Sequence, residues 1–157
     1  MSKTHVTVTP GTHEIVLTRE FDAAPDVVFA ALTDPGLVPS WWGPHGLTTK
    51  VEEMDVRSGG RWRFVQRDAD GNEFGFNGVY HCVQPGRVVQ TFEFEGMPGH
   101  VMLETMTLED LGGRTRLVDQ SVFQSVEDRD GMVASGMQDG ASQSHDRLDT
   151  ILAGRAG

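Results

Sequence analysis

The alternation of apolar and polar residues predicts seven β-strands. Residues 12–21 alternate along the chain, so Ile15, Leu17 and Phe21 fall on one face of a strand. Turn sequences rich in glycine separate six further candidates, at 48–56, 60–67, 73–83, 87–95, 100–109 and 114–123. Because the gaps between these six are short, consecutive strands should pair in antiparallel fashion and in sequence order.

The remaining pattern predicts three helices. A short helix is expected at 23–35, with Pro25 near its start, and a second at 37–42. Residues 129–153 carry apolar residues at the spacing of one helical face, although glycines interrupt the sequence. The apolar positions are Val133, Met137, Ala141, Leu148 and Leu152, and the glycines are Gly131, Gly136 and Gly140.

These elements predict an α+β fold in which the long terminal helix covers one face of a seven-stranded antiparallel sheet. A strongly curved sheet that grips a helix tends to leave a cavity between them. Residues 1–11 are expected to be a flexible leader, and residues 12–157 a single domain, because no linker or repeat divides them.

Composition narrows the classes of function. The 23 acidic residues outnumber the 13 lysines and arginines, and a net charge of −10 argues against nucleic acid or an anionic membrane as partner. No apolar run approaches the roughly 20 residues that span a bilayer, so membrane insertion is not expected. The single cysteine, Cys82, and an N-terminal sequence without a signal-peptide pattern predict a cytoplasmic location.

Six sequence strings, in this order, resemble a known family. They are TREFDAAPDVVFAALTDP, WWGPHGLT, MDVRSGGRWRF, GVYHCVQPGRVV, LEDLGGRTRL and GMQDGASQSHDRL, and they extend from about Thr18 to Leu152. The chain resembles the START-like SRPBCC superfamily, whose helix-grip fold is shared by polyketide cyclases. Within it, the most similar branch is related to activators of the heat-shock-protein-90 ATPase. The resemblance implies a bacterial-type domain that binds a hydrophobic ligand or acts with a chaperone, and it supplies no universal set of catalytic residues.

Strand alternation also predicts which side chains face the helix. On the strand at 60–67 they are Trp62, Phe64 and Gln66. The expected cross-strand neighbours are Leu108–Thr115, Met106–Leu117, Glu104–Asp119, Phe94–Met102, Phe92–Glu104, His81–Gln90 and Val79–Phe92. A bulge in any strand would reverse its assignment.

This register places two acids, Glu104 and Asp119, side by side on an otherwise apolar face. Two carboxylates in one apolar pocket cannot both ionise cheaply. In one interpretation Arg19, on the same face of the first strand, neutralises them. In another, Glu104 has an elevated pKa and orients a ligand or acts as a general acid–base. In a third the register is wrong and the acids are solvated.

A histidine occupies the inward stripe of the terminal helix. His145 falls between Ala141 and Leu148, where the family pattern more often has leucine, and Ala141 stands where that pattern often has a large aromatic residue. Both departures would enlarge and polarise a pocket. The alternative is a structural histidine with no role at a site.

Two chemistries are not supported by the sequence. The histidines show no HExxH spacing and the single cysteine allows no CxxC motif, so no metal site is expected. Phosphate-binding glycine motifs are absent as well, and no cofactor is expected. His81 and Cys82 are neighbours on a strand and point to opposite faces, which argues against a Cys–His nucleophile pair.

Three functions follow from this sequence. The first is a helix-grip domain whose cavity binds a small hydrophobic or aromatic molecule without catalysis. The predicted ligand-binding residues are Trp42, Trp62, Phe64, His81, Phe92, Met102, Glu104, Met106, Met137, Ala141 and His145. The second is an interaction protein with a chaperone partner, and the third is a cyclase or hydrolase that uses Glu104, Asp119 or His145. Domains of this type often pair, so a homodimer is one option for each.

The adjacent tryptophans Trp41 and Trp42 lie about 100° apart on a helix and cannot share one narrow stripe. We expect one to close the open end of the sheet and the other to cover the short helix or line the cavity mouth.

Overall fold

In the computed structural model, which describes residues 3–155, eight antiparallel strands form one curved sheet with the order β1-β2-β8-β7-β6-β5-β4-β3. The strands are β1 (His5–Thr7), β2 (Glu14–Phe21), β3 (Thr48–Met54), β4 (Arg61–Arg67), β5 (Glu73–Gln84), β6 (Arg87–Phe94), β7 (Val101–Asp110) and β8 (Thr115–Val122). The α+β helix-grip prediction is confirmed, including the six consecutive strands after the short helices. The count of seven strands is one too few.

The additional strand, β1, lies within the predicted leader. Val6 is paired with Leu17 on β2, and the strand has only three residues. A segment this short carries too little alternation to be recognised from sequence.

Within residues 3–155, four helices complete the fold. They are α1 (Pro25–Thr33), α2 (Val38–Trp41), α3 (Val126–Ala134) and α4 (Met137–Arg155). Pro25 occupies the first turn of α1, where its missing N–H is not needed. The Ser125 side chain caps α3 by accepting a 3.0 Å hydrogen bond from the Asp128 N–H.

The single helix predicted over 129–153 is wrong, because α3 and α4 are separate. The helical conformation is interrupted at Gly136, whose φ of 87° is a left-handed conformation that ends a helix. The sequence contained the signal, since Gly136 is one of the interrupting glycines.

Strand β2 behaves as its alternation predicts. Its odd-numbered residues Ile15, Leu17, Arg19 and Phe21 are buried, and the strand lies beside β8. On β4, Trp62, Phe64 and Gln66 are buried as expected.

Two predicted registers are offset by two residues, which preserves the face but changes the neighbours. Leu108 pairs with Leu117 and Glu104 with Ser121, so Asp119 lies opposite Met106. On the other side of β7 the partner of Glu104 is Gln90 and that of Met102 is Phe92. The centre of the β7–β8 pairing lies one residue further along the chain than predicted, and the Asp110 carboxylate accepts hydrogen bonds from the N–H groups of Gly112 and Gly113 in the turn.

The inward placement of His81 is also wrong. Cys82 pairs with Val89 near the turn, as the predicted register requires, but the ladder shifts between Tyr80 and Cys82. Beyond this bulge Tyr80 pairs with Gln90 and is 3% exposed, whereas His81 is exposed. The extra residue turns Tyr80 inward in place of His81.

The core of the described part of the chain consists of two hydrophobic clusters. The larger one joins α1, α2 and α4 to the sheet through residues such as Phe21, Val28, Trp62 and Leu148. The smaller one is built on Ile15, Leu17 and Phe123, with residues of α3 and the start of α4 packed on it. Within residues 3–155 no helix has the length and apolar character needed to cross a bilayer.

Candidate functional site

A cavity of about 280 Å³ lies between the inner face of the sheet and the helices. Members of both hydrophobic clusters line it, together with α2, the start of α4 and residues 43–44. Of the eleven predicted binding residues, nine line this cavity: Trp42, Phe64, Phe92, Met102, Glu104, Met106, Met137, Ala141 and His145. Trp62 is buried behind the wall, and His81 is exposed on the opposite face.

Glu104 and Asp119 meet on the cavity wall, although they are diagonal rather than directly opposite. Their carboxyl groups lie close enough that each affects the pKa of the other. Burial raises the pKa of both groups, and the charge of Glu104 raises the pKa of Asp119 further. The pair therefore retains a proton in a range where isolated carboxyl groups are ionised.

Two neutral side chains complete the acidic wall. Gln90 Nε2 donates a 3.0 Å hydrogen bond to Glu104 Oε1. Tyr80 is buried nearby, and its pKa is raised by burial and by the charge of Glu104, so it stays a neutral phenol. Tyr80 is not among the predicted site residues, although the alternation of β5, followed from its start at Glu73, places Tyr80 on the inner face.

Arg19 does not neutralise these acids. Its guanidinium forms ion pairs with Asp149 and, at 2.9 Å, with Asp146 on α4. It also donates a 3.3 Å hydrogen bond to the Thr4 hydroxyl. The interpretation in which Arg19 bridges Asp119 is therefore wrong, because the helix supplies its partners.

His145 is 7% exposed and points inward from α4. Its Nδ1 lies 2.7 Å from the Thr4 hydroxyl, and its ring packs edge-on against Phe21. Burial, and then the charge of Arg19, lowers the pKa of His145 to about 4. The imidazole is thus neutral at pH 7, and no hydrogen bond within residues 3–155 joins it to either acid.

The adjacent tryptophans both line the cavity, but they make different contacts. Trp41 is buried and its indole N–H donates a 3.0 Å hydrogen bond to the Ala31 carbonyl. Trp42 follows α2 and packs edge-on against Phe64 and Phe76, with ring centroids 5.0 and 5.2 Å away. One tryptophan therefore anchors α2 to α1, and the other closes the aromatic end of the sheet.

The loop after Trp42 is fastened to α4. Ser144 Oγ donates to the Trp41 carbonyl at 2.9 Å, and Arg147 donates to the Gly43 carbonyl at 3.0 Å. Gly43 has a φ of 96°, and a Cβ there would lie 2.0 Å from the Gln66 amide nitrogen. Only glycine permits this close packing of the loop beside the cavity.

The part of the chain that the structure describes contains no group of three or more His, Cys, Asp or Glu side chains arranged to hold a metal ion. The acidic pair and the aromatic wall can instead orient an organic molecule. Apolar side chains provide the surface for its body, and the carboxyl groups can accept hydrogen bonds from it.

Comparison with known proteins gives a family and a set of similar folds. Residues 22–153 match the family model described as Activator of Hsp90 ATPase homolog 1-like protein. A protein from Rhodobacter sphaeroides is 27% identical with a TM-score of 0.89, and the alignment covers 97% of this chain and 99% of that one. One from Arthrobacter aurescens is 26% identical with a TM-score of 0.88, covering 95% and 91%. Another, from Chromobacterium violaceum, is 28% identical with a TM-score of 0.80, covering 89% and 96%. No curated protein matches the chain.

Proposed function

The chain belongs to the Activator of Hsp90 ATPase homolog 1-like family, as its six sequence strings predicted, and on that premise we propose that it binds a small, largely apolar or aromatic molecule in its internal cavity. The observation that carries the proposal is the cavity of about 280 Å³ with a mixed wall. This volume lies just below the range for small-molecule sites, about 300–1,000 Å³, and therefore suits a small ligand.

The composition of the wall supports binding of an organic ligand. Phe64, Phe92 and Trp42 offer aromatic surface, while the methionines of β7 and α4 provide a deformable apolar lining. Polar groups are few and concentrated, which is typical of sites that orient one end of a ligand.

Catalysis is not part of the proposal. His145, the one histidine of the wall, has a lowered pKa and is hydrogen-bonded to Thr4, away from the acid pair. An enzyme that uses His145 together with Glu104 or Asp119 would need these groups to act on one substrate atom, and no hydrogen bond within residues 3–155 joins the imidazole to either acid.

A thermal-shift screen with apolar and aromatic metabolites tests the proposal. We expect at least one class of compound to raise the melting temperature of the wild-type protein in a dose-dependent way. Ala141→Phe should abolish this shift, since residue 141 lines the cavity and the larger ring would fill it.

Ala153→Phe is the matched control, because it makes the same change on the exposed side of α4. It should leave the ligand-induced shift intact. If no compound stabilises the wild-type protein, or if both variants behave alike, the cavity is not a binding site.

The family match also supports a second candidate, an interaction with a chaperone ATPase. The net charge of −10 would favour a partner with a basic surface. A chaperone ATPase assay with the purified chain tests it, and an unchanged rate at saturating chain concentration would remove it. The cytoplasmic location and the homodimer stay predictions from the sequence.

A further inference from the structure

The cavity wall carries negative charge without a positive side chain to balance it. Among the lining residues of the described chain there is no lysine or arginine, and Arg19 is held by Asp146 and Asp149 on α4. His145 is the one side chain among the described lining residues that could carry a positive charge, and it is neutral at pH 7. Glu104 and Asp119 therefore face the cavity with no cation from the protein.

One oxygen of this pair is left without any partner. Asp119 is 7% exposed, and its Oδ1 is buried with no hydrogen-bond partner within residues 3–155. A buried acceptor without a donor is costly, so native proteins seldom keep one without a reason. A ligand with an N–H group that reaches Asp119 Oδ1 would satisfy it.

We propose that the cavity selects molecules that carry a protonated primary or secondary amine on an apolar or aromatic body, with Asp119 and Glu104 binding the ammonium group. This inference rests on the proposed ligand-binding function and specifies the class of its ligand. The ammonium group supplies both the missing positive charge and the missing donor, and its arrival would release to solvent the proton that the acid pair retains.

The aromatic part of the wall suits the same class of ligand. Trp42, Phe64 and Phe92 lie on the side of the cavity formed by β4, β6 and the loop after α2. Aromatic faces attract organic cations and also accommodate an apolar body. A neutral alcohol of the same shape would use the apolar wall but would leave the charge of the acids unbalanced.

Titration by two-dimensional NMR with three matched probes tests the proposal. The probes are phenethylamine, 2-phenylethanol and phenethyltrimethylammonium, which share one aromatic body. We expect phenethylamine to bind at least about tenfold more tightly than the alcohol, because hydrogen bonds to charged groups contribute more than neutral ones. The trimethylated cation has no N–H for Asp119 and should bind less tightly than the amine.

The variants Asp119→Asn and Glu104→Gln should each reduce the affinity for the amine about tenfold and change the affinity for the alcohol less than threefold. Glu109→Gln is the control, since Glu109 lies on the same strand but pairs with Arg116 at the surface. It should match the wild-type protein with all three probes.

Equal affinity of the wild-type protein for the amine and the alcohol would overturn the amine proposal while supporting the ligand-binding function. So would an amine preference that survives in both acid variants. If the trimethylated cation binds as tightly as the amine, the role of Asp119 as acceptor is wrong. Absence of saturable binding by every probe would count against both the amine class and the binding function itself.

Discussion

Arg19 and Asp119 lie on the inner faces of neighbouring strands, but only one of them is neutralised by the protein. Arg19 pairs across the ladder with Leu117, and Asp119 pairs with Leu17, so the two are diagonal neighbours. Arg19 nevertheless turns to two carboxylates of α4, and Asp119 faces Glu104, another acid.

This difference in partners distinguishes the Arg19 cluster, which has a structural role, from the Glu104–Asp119 pair, which is a candidate site. The Arg19 cluster joins β2 to α4 through ion pairs with Asp146 and Asp149, although the guanidinium Nε itself has no hydrogen-bond partner within residues 3–155. The acid pair joins only adjacent strands and keeps an unpartnered oxygen beside a cavity. Groups arranged for binding often reduce the stability of the empty protein, and the binding proposal predicts this of the acid pair.

Removal of the partners of Arg19 should have the largest effect on stability. The double variant Asp146→Asn/Asp149→Asn leaves the buried guanidinium without a counter-charge, and we expect a loss of about 3–5 kcal/mol in the free energy of unfolding. Urea denaturation measures it. Added to Arg19→Met, the same two substitutions should cost much less, because both carboxylates are partly exposed, and an equal cost in the two backgrounds would show that the ion pairs contribute little.

The pH dependence of stability tests the histidine beside this cluster. The folded-state pKa of His145 is about 4, below its ordinary 6.5, so the unfolded chain binds the proton more readily. The contribution of His145 is present above pH 6.5 and is lost as pH falls towards 4, by up to about 3 kcal/mol. His145→Leu should remove this contribution, which urea denaturation at several pH values measures as a difference from the wild-type protein. An identical pH dependence in both proteins would contradict the buried, neutral state of His145.

The acid pair should respond in the opposite sense and with a smaller effect. Because its pKa values are raised, the folded protein is favoured while the pair is fully protonated, and that advantage is lost as pH rises above the ordinary carboxyl range. Asp119→Asn removes the repulsion and should stabilise the empty protein by about 1 kcal/mol at pH 7. Melting temperatures at pH 4 and pH 7 measure it, and the gain should shrink at pH 4. A loss of stability at pH 7 would place Asp119 in the structural class with Arg19.

Sequence reasoning was most successful where a strand is long and one-sided. Ile15, Leu17, Arg19 and Phe21 were assigned to the inner face because strict alternation fixes the face of a strand. Glu104 and Asp119 were placed inward for the same reason, and a register error of two residues did not matter because it preserves the face.

The errors have local causes that alternation does not contain. The bulge at His81 adds one residue to β5, so that the residues before it face the opposite way from the prediction. Tyr80 therefore points inward and His81 outward. The partner of Arg19 was misassigned because the rotation of α4 about its axis, which brings Asp146 and Asp149 to Arg19, depends on tertiary packing. The absence of a hydrogen-bond partner for Asp119 Oδ1 within residues 3–155 likewise could not be predicted without three-dimensional positions.

The placement of the tryptophans gives the protein an intrinsic optical reporter. Trp41 and Trp42 line the cavity, and Trp62, the only other tryptophan, packs against Phe64 and Phe92 of the same wall. All indole emission therefore originates at or directly behind the cavity wall. Entry of a ligand would change the polarity around these rings, so occupancy can be followed by fluorescence of the unmodified chain.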